Sequence, residues 1–438
     1  MNMLTSENIK ITAYDYKNSN QIESETLNKL QSNELITLRL ADENIWDENF
    51  DIAIRTPGMN FLNKNLQKLH QKGTAITSEM EIFFELCPCP IVGITGSDGK
   101  TTVTTIISEI LKQQGLKVHT GGNIGTPLLP KINEISKNDI AVVELSNFQL
   151  MSMRKSPNIA VITNISPNHL DVHKDMTEYI WAKSQIVFHQ DAFSTAVLNY
   201  DNAETQKISE FARGKLLFFS STQPLENGTW INEFGDIIYS ENGKNTKVLA
   251  SKDIKIPGKH NLENYLAAIA AVYKLVNKST IEHTAKNFSG VEHRIEFVRD
   301  LNGIKFYNDS IASSPTRVIK GALSLFENQK ITLIAGGHDK KTPFDELGEK
   351  ICEEVSCLIL MGPASDKIKS AVLQAKNYNS NKLKILTAKD MDEAVNLAYN
   401  QSKPQSVVLL SPACTSFDYY KNFEERGKHF KNIVNALK

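Results

Sequence analysis

Long apolar runs and an excess of either charge are both missing from this sequence. Its 438 residues include 49 Lys and Arg against 50 Asp and Glu, so a broad electrostatic surface for nucleic acid or anionic lipid is not expected. No apolar segment approaches the length that crosses a bilayer, and Met1–Tyr14 lacks the basic-then-apolar order of a secretory signal. The sequence therefore favours a cytoplasmic protein without nucleic-acid binding or membrane insertion, in which any phosphate binding is local.

Cysteine is scarce as well, with five in the whole chain. An odd number in a chain of this length does not indicate a disulfide framework. Cys87 and Cys89 form a Cys-Pro-Cys-Pro segment, but Cys352, Cys357 and Cys414 are not spaced as a second pair of metal ligands. We therefore expect ordinary buried or linker thiols and no zinc site.

The length of the chain predicts about three domains, at roughly 150 residues each. Hydrophobic residues make up 41% and charged residues 23%, which is typical of a globular protein. Apolar runs alternate with helical periodicity, which predicts an α/β fold with mostly parallel sheets. The pattern changes near residues 88 and 290, so we expect domains at 1–88, 89–290 and 291–438.

The most informative segment is an apolar strand, a glycine loop and a helical stretch in succession, Ile91–Thr102. Glycines let backbone N–H groups point inward, and the helix N-terminus adds partial positive charge, so such a loop can hold polyphosphate. Lys100 would add a cation and Thr101 a hydroxyl for Mg²⁺. Ile94 stands where the strict P-loop signature has its first glycine, so a glycine-rich turn with an exposed lysine remains the alternative.

Polar groups also follow or end the other predicted strands of the central region, where open α/β sheets bind ligands. Glu144 ends an apolar strand, and there a metal-binding or water-polarising role competes with a buried salt bridge. His169 is a possible ligand, although a single loop histidine is more often exposed or hydrogen-bonded. Lys183 lies on a helix predicted over Met176–His189 and, on sequence alone, indicates a solvated lysine.

Further polar groups occur in each of the three regions. His260, Asn261 and Asn264 open an apolar helix, where they either contact a base or sugar or simply cap the helix. Asp15 closes a strand of the first region, a position that holds a ribose in Rossmann-like units, although a turn-forming Asp is the favoured interpretation. Residues 221–247 are rich in Asn, Gly, Ser and Glu, which predicts a surface hairpin or insertion.

The order of these motifs resembles that of the Mur ligase family. The shared motifs are Thr95–Thr102, Gly122–Gly125, Glu144–Leu150, Thr163–His169, Lys183, Gly258–Asn264, His293–Arg294, Asn308–Ser310 and Ser411–Ser416. The resemblance implies three domains: a truncated Rossmann-like N-terminal domain for a nucleotide sugar, a central P-loop ATPase domain and a Rossmann-like C-terminal amino-acid domain. It also implies an ATP-dependent, ADP-forming ligase.

Within the family, the Glu144–Leu150 and Ser411–Gly427 segments resemble the ligase of peptidoglycan synthesis that adds D-glutamate to UDP-N-acetylmuramoyl-L-alanine. The implied reaction proceeds through an acyl phosphate, with ATP and Mg²⁺ as cofactors, in a protein expected to be a monomer. A Mur-ligase paralogue with another amino acid or acceptor is the nearby alternative. A P-loop ATPase that forms no amide bond is the more distant one.

The resemblance also implies site residues. Those implied to bind ATP are Gly96, Ser97, Asp98, Gly99, Lys100, Thr101, Thr102, His260, Asn261, Asn264, Arg294 and Asp309. Those implied to hold Mg²⁺ are Thr101, Glu144, His169 and Lys183, the last as a carbamate, and Lys100, Glu144, His169 and Lys183 are the implied catalytic residues. Those implied to bind the other substrates are Asp15, Thr56, Gly58, Asn123, Lys340, Ser416 and Phe423.

Two departures from the family pattern affect substrate binding. The sequence begins near the second strand of the expected N-terminal domain, without the first strand and the glycine loop that would hold the UDP diphosphate. We therefore expect either a truncated or misassigned start or a variant with altered substrate binding. In addition, many relatives have Asn-Asp-Ser-Lys-Ala-Thr where this chain has Asn308-Asp-Ser-Ile-Ala-Ser313, so Ile311 removes a cation. We therefore expect ATP use to follow the family more closely than substrate binding does.

Overall fold

Residues 9–22, 24–166, 174–326, 329–338 and 342–438 are described by a computed structural model. The strands are β1 Ile11–Asp15, β2 Ile36–Leu40, β3 Ile52–Arg55, β4 Ala75–Ser78, β5 Ile91–Thr95, β6 Val118–Gly122, β7 Ile140–Glu144, β8 Ile159–Ile162, β9 Thr195–Asn199, β10 Lys215–Ser220, β11 Gly228–Ile231, β12 Asp236–Glu241, β13 Lys244–Ala250, β14 Glu296–Leu301, β15 Ile304–Asn308, β16 Lys330–Gly336, β17 Val355–Met361, β18 Lys384–Thr387 and β19 Ser406–Leu410.

Helices separate most of these strands. They are α1 Ser24–Gln31, α2 Lys64–Gln71, α3 Glu79–Leu86, α4 Lys100–Gln113, α5 Asn147–Leu150, α6 Met176–Phe188, α7 Ala203–Ile208, α8 Lys259–Val272, α9 Lys278–Asn287, α10 Pro315–Arg317, α11 Asp345–Glu354, α12 Ser365–Gln374, α13 Met391–Gln401 and α14 Phe423–Ala436. A π-helical turn, Val318–Leu323, follows α10 directly.

The N-terminal strands form two separate parallel pairs, β1 with β2 and β3 with β4. Their small core centres on four buried side chains, Ile45, Trp46, Leu66 and Leu69. The strands β3 and β4 are each only four residues long. Short strands carry little periodicity, so the parallel pairing of β3 with β4 could not be predicted from sequence.

The central sheet has nine strands in the order β13-β12-β11-β10-β9-β8-β5-β7-β6. From β11 to β6 the neighbouring strands pair in parallel, and β12 and β13 continue the sheet as an antiparallel meander. The region predicted as a hairpin or insertion therefore extends this sheet. Every residue of β5 and β7 is buried, which explains their uninterrupted apolar runs.

The C-terminal sheet has six strands in the order β14-β15-β19-β16-β17-β18. Only β14 is antiparallel to its neighbour. One core lies on each face, formed mainly by α11 and α12 on one side and by α13 and α14 on the other. The interior strands are consequently apolar on both faces, as in a doubly wound sheet.

Contacts divide the chain into two compact units, Met1–Ser251 with Leu262–Thr284 and Lys252–Asn261 with Ala285–Lys438. The chain therefore passes between the units more than once, and α8 contributes residues to both. The three-domain boundaries expected at residues 88 and 290 stay predictions. Among the helices within the described ranges, none has the length and apolar character to cross a bilayer.

Candidate functional site

The loop after β5 is shaped by two glycines with positive φ angles. Gly96 has φ 149° and Gly99 has φ 80°. A Cβ on Gly96 would lie 1.9 Å from Thr163 Oγ1, and one on Gly99 would lie 2.4 Å from Asn264 Oδ1. Both positions thus exclude larger residues by conformation and by space, and Asn264 lies beside the loop.

The same loop is fixed by hydrogen bonds from the segment after β8. Thr163 Oγ1 donates to Asp98 O at 2.5 Å, and Asp98 N donates to Asn164 Oδ1 at 3.0 Å. Ser97 N donates to Asn164 O at 2.8 Å, and Ser97 Oγ lies 3.0 Å from Tyr179 Oη. The loop is therefore preorganised around the N-terminus of α4, where an anion would be bound.

Lys100 is the first residue of α4 and folds back over the loop. Its Nζ donates to Gly96 O at 2.9 Å and to Ser97 O at 3.0 Å. The ammonium is only part-buried, so a phosphate at the helix N-terminus could attract it away from these carbonyls. Thr101 follows in the first helical turn, and Thr102 is buried against the core.

Glu144 is buried at the end of β7, next to β5. It pairs with Ile94 of β5, and its Oε1 accepts a hydrogen bond from Asn123 Nδ2 at 2.8 Å. Its Oε2 is buried and has no hydrogen-bond partner within the described residues. An unpaired carboxylate oxygen is costly in a buried position, and carboxylates and hydroxyls are the protein ligands that Mg²⁺ accepts. The donor chemistry of Glu144, and of the Thr101 hydroxyl on α4, therefore fits an Mg²⁺ ion.

Lys183 is almost completely buried, with 1% of its surface exposed. Its Nζ donates to Gly96 O at 2.8 Å and lies 4.8 Å from the ring centre of Tyr179. Burial lowers the pKa of Lys183 well below its ordinary value, and the charge of Lys100 adds to this effect. The sequence interpretation of a solvated lysine was wrong, because the exposed face of α6 cannot be identified without its neighbours.

At the C-terminal unit, Asp309 follows β15 and is buried. Its Oδ2 accepts a hydrogen bond from Ser411 Oγ at 2.7 Å, and its Oδ1 accepts one from Ile295 N at 3.3 Å. Burial raises the pKa of Asp309 to about 7, although Arg294 and Arg317 act in the opposite direction. Arg294 and Asp309, both implied ATP contacts, therefore lie near one another.

Arg426 connects the segments that follow β15 and β19. Its guanidinium donates to four oxygen atoms, which are the backbone carbonyls of Ser310, Cys414 and Thr415 and the hydroxyl of Ser310. Ser310 Oγ donates in turn to Phe423 O at 2.8 Å. The implied glutamate-side residue Phe423 is thereby tied to the Asn308–Ser310 motif.

Ser416, the other described residue of the glutamate side, is buried at the end of the same segment. Its carbonyl accepts hydrogen bonds from Tyr419 N and Tyr420 N, which form the turn before α14. The loop after β16 runs alongside, because His338 N donates to Thr415 O at 3.0 Å. Lys340 of that loop lies outside the described residues, and so does His169 of the metal set.

The implied nucleotide-sugar residues lie at the ends of strands on two different sheets. Asp15 ends β1, and Thr56 and Gly58 follow β3, where all three are exposed. Arg55, which the sequence analysis missed, is buried beside them. Its guanidinium donates to Phe148 O at 2.9 Å and to Ser152 Oγ at 2.7 Å, so it ties this turn to α5.

His260 and Asn261 lie in the C-terminal unit, whereas Asn264 of the same helix belongs to the other unit. Asn261 Nδ2 donates to Pro257 O at 2.6 Å, which ties the first turn of α8 to the segment before it. Gly258 has φ 101°, and a Cβ there would lie 2.7 Å from His260 Cε1. The turn is therefore closely packed around the imidazole.

Thr163 and Asn164 hold the glycine loop, and Arg55 and Arg426 each hold loops within their own unit, but none of the four was chosen from the sequence. Thr163 and Asn164 belong to a motif in which only His169 was singled out. Their position directly after a strand was the available signal. Arg55 and Arg426 carried no such signal, because most of their partners are backbone and serine oxygens distant in sequence.

Comparison with known proteins gives a consistent result. Residues 94–272 match the Mur ligase middle domain, and residues 293–414 match the Mur ligase glutamate ligase domain. The chain is 50% identical over 393 residues to UDP-N-acetylmuramoylalanine--D-glutamate ligase of Acetivibrio thermocellus, covering 89% of this chain and 84% of that protein. It is 46% identical over 431 residues to the protein of the same name from Clostridium acetobutylicum, covering 98% and 92%.

Among solved structures, the chain is similar to MurF of Acinetobacter baumannii. The TM-score is 0.60 at 17% identity, with 97% of this chain and 94% of that chain covered. At this identity the likeness concerns the fold alone. The α/β architecture seen here is thus that of a Mur ligase.

Proposed function

The chain belongs to the Mur ligase family, and on that premise we propose that it joins D-glutamate to UDP-N-acetylmuramoyl-L-alanine with ATP, as a step of peptidoglycan synthesis. Its relatives at 45–50% identity over most of the chain carry the name of this activity. The chain is accordingly an ATP-dependent, ADP-forming ligase. The single observation that carries the chemistry is the cluster of Lys100, Glu144 and Lys183 around the glycine loop.

The proposed reaction has two steps. The alanyl carboxylate attacks the γ-phosphorus of ATP, so that an O–P bond forms and ADP leaves. The glutamate amine then attacks the acyl carbon, a C–N bond forms, and phosphate leaves from a tetrahedral intermediate with loss of a proton from nitrogen. Both steps depend on positioning and charge neutralisation more than on covalent help from the protein.

The residues around the loop suit the first step. Backbone N–H groups of Gly96–Lys100 and the N-terminus of α4 would hold the phosphates, and Lys100 would leave its carbonyl partners to follow the transferred group. Bound Mg²⁺, held by Thr101 and Glu144 with His169 at a second ion, would neutralise charge on the phosphates. Asn264 and Thr163 keep the loop in the geometry that this requires.

The buried Lys183 suits modification to a carbamate. A buried amine without a carboxylate partner is favoured in its neutral form, and a neutral amine can attack CO₂. The N–C bond forms, a proton is released, and the cation becomes an anion that joins the metal-binding set. Because Lys183 Nζ lies 2.8 Å from Gly96 O, that anion would lie beside the loop.

We propose that residues at the strand ends form the acceptor and amino-acid sites. Asp15, Thr56, Gly58 and Asn123 would contact the nucleotide sugar, and Ser416, Phe423 and Lys340 the incoming glutamate. His260, Asn261, Arg294 and Asp309 would contact ATP. We further propose that the protein acts as a monomer in the cytoplasm, where ATP and nucleotide sugars are available; light scattering of the purified chain would test the first point.

Phosphate release tests the proposed function directly. The purified chain is incubated with ATP, Mg²⁺ and UDP-N-acetylmuramoyl-L-alanine, with either D- or L-glutamate, and the product mass is determined. We expect release only with the UDP substrate and D-glutamate together. Phosphate release without any amino acid would instead favour a plain ATPase. No release with either glutamate would favour another acceptor.

A further inference from the structure

Two arginines at the carboxyl edge of the C-terminal sheet differ in how many of their hydrogen-bond donors are already occupied. The strands β15, β19 and β16 are neighbours, so the segments after Asn308, Leu410 and Gly336 meet at this edge. Ligands of open α/β sheets bind there. Arg426 is buried at this edge, but its guanidinium is already engaged by backbone and hydroxyl oxygens. It is therefore a structural cation.

Arg317 lies at the same edge and is exposed. It ends α10, directly before the π-helical turn Val318–Leu323, a type of turn that often occurs at functional sites. Within the part of the chain that the structure describes, its guanidinium has one hydrogen-bond partner, Ile311 O, at 3.2 Å from Nη1. Most of its donors are therefore available to a ligand.

The turn that Arg317 contacts follows β15 and is tightly folded. Ile311 O also accepts a hydrogen bond from Ser313 N at 2.8 Å, and Ala312 N donates to Asp309 O at 2.9 Å. Asp309 itself is occupied by Ser411 and Ile295 and makes no ion pair with Arg317. The guanidinium is thus held beside the turn without being neutralised.

We propose that Arg317 binds an oxyanion of a substrate in the ligation reaction, either a phosphate of ATP or a carboxylate of the incoming glutamate. The planar guanidinium offers paired N–H donors that match both groups. Ile311, in contact with it, carries no charge, so Arg317 adds a positive charge beside this turn, together with Arg294 near Asp309. The inference rests on the proposed function, because it takes the substrates from that reaction.

The test compares Arg317→Ala with the parent and with Lys320→Ala, an exposed cation in the adjoining π-helical turn. Loss of a charged hydrogen bond should raise the KM for one substrate by about 10- to 100-fold. A raised KM for glutamate identifies the carboxylate, and a raised KM for ATP identifies the phosphate. The Lys320→Ala protein should have the KM values of the parent. The thermal midpoints of both variants should agree with that of the parent.

Two further variants separate binding from a structural role. Arg317→Lys should retain part of the affinity, because it keeps the charge but loses the paired donors. Ile311→Lys placed in the Arg317→Ala background should also recover part of it, because residue 311 adjoins the guanidinium. A purely structural arginine would instead show lower thermal stability in Arg317→Ala and no recovery. That result, or a KM within about threefold of the parent for both substrates, would overturn the proposal.

Thermal-shift titrations with ATP and with D-glutamate need no turnover. If the parent chain proves inactive with UDP-N-acetylmuramoyl-L-alanine, the proposed function fails while these titrations still report on Arg317. A midpoint shift that one ligand produces in the parent and Lys320→Ala proteins, but not in Arg317→Ala, supports the inference. Equal shifts in all three proteins contradict it.

Discussion

At the scale of single residues, burial of charge decides the chemistry of this protein. Lys183 and Asp309 are both buried, and in each case burial shifts the pKa toward the neutral form. Neutral amines attack CO₂, and neutral carboxyls donate hydrogen bonds, so burial changes what each group can do. Neither shift could be derived from the sequence, since each depends on distant neighbours.

Replacement of Lys183 by alanine should abolish ligation, because the anion proposed to join the metal site is lost. A small carboxylate such as acetate should restore a fraction of the activity by occupying the vacated space. Phosphate release measured with and without acetate checks this expectation. Lys174→Ala, at an exposed lysine just before α6, is the matched control; full activity of the Lys183→Ala protein without acetate would refute the carbamate role.

Asp309 should make the stability of the ligand-free protein depend on pH. In the unfolded chain an aspartate ionises near pH 4, whereas burial raises the pKa of Asp309 to about 7 in the folded state. Between these values the folded state binds the extra proton, so the free energy of unfolding falls as the pH rises. The Asp309→Asn protein lacks this penalty and should gain about 2–4 °C in Tm over the parent between about pH 5 and pH 7.5.

Thermal unfolding at several pH values provides the measurement. Asp345→Asn, at an exposed aspartate of the same unit, is the control and should keep a constant difference from the parent. If the Tm difference between Asp309→Asn and the parent is also independent of pH, Asp309 is ionised throughout the range and the prediction is wrong.

At the scale of elements, the glycine loop and α4 form one structural unit. The loop requires positive φ angles, and the helix supplies the N-terminus to which the loop leads. The neighbours Thr163 and Asn264 leave no space for a side chain on either glycine. The shape of the loop therefore depends on segments that come much later in the chain.

Gly99→Ala should weaken nucleotide binding, because its Cβ would lie 2.4 Å from Asn264 Oδ1. Gly115→Ala is the matched control at the other end of α4, where φ is 92° and no atom lies within 4 Å of the added Cβ. The backbone cost, about 1–2 kcal/mol, is common to both variants. Calorimetric titration with ADP should show at least about a tenfold loss for Gly99→Ala only; equal affinities would mean that the loop adjusts.

At the scale of the whole molecule, the two compact units are not consecutive in sequence. The first unit includes Leu262–Thr284, although Lys252–Asn261 belongs to the second. Within the returning segment, Tyr265, Leu266 and Ile269 are completely buried. The chain therefore has to return to the first unit before its core is complete.

A fragment that ends at residue 251 should consequently fail to fold, whereas one that ends at residue 288 should remain soluble. The shorter fragment lacks the buried side chains of α8 and α9 and exposes the surface that they cover. Soluble yield and circular dichroism of the two fragments provide the measurement. A shorter fragment that unfolds as cooperatively as the longer one would show that α8 is dispensable.

The sequence by itself determined the local units. The order of strand, glycine loop and helix at Ile91–Gln113 follows from periodicity and from residues that act on their immediate neighbours. The same holds for most strands of the two larger sheets, whose apolar runs need no partner to be recognised. Even the family was accessible, because its motifs are short and ordered along the chain.

Only the tertiary structure decided which residues meet. Lys183 joins the glycine loop from α6, Asn264 reaches Gly99 from α8, and Arg317 lies beside Ile311 with its donors available. Strand order is also a tertiary property, since β5 lies between β7 and β8. The physical reason is that helical and strand periodicities act over a few residues, whereas burial and hydrogen bonding join residues that are far apart in the chain.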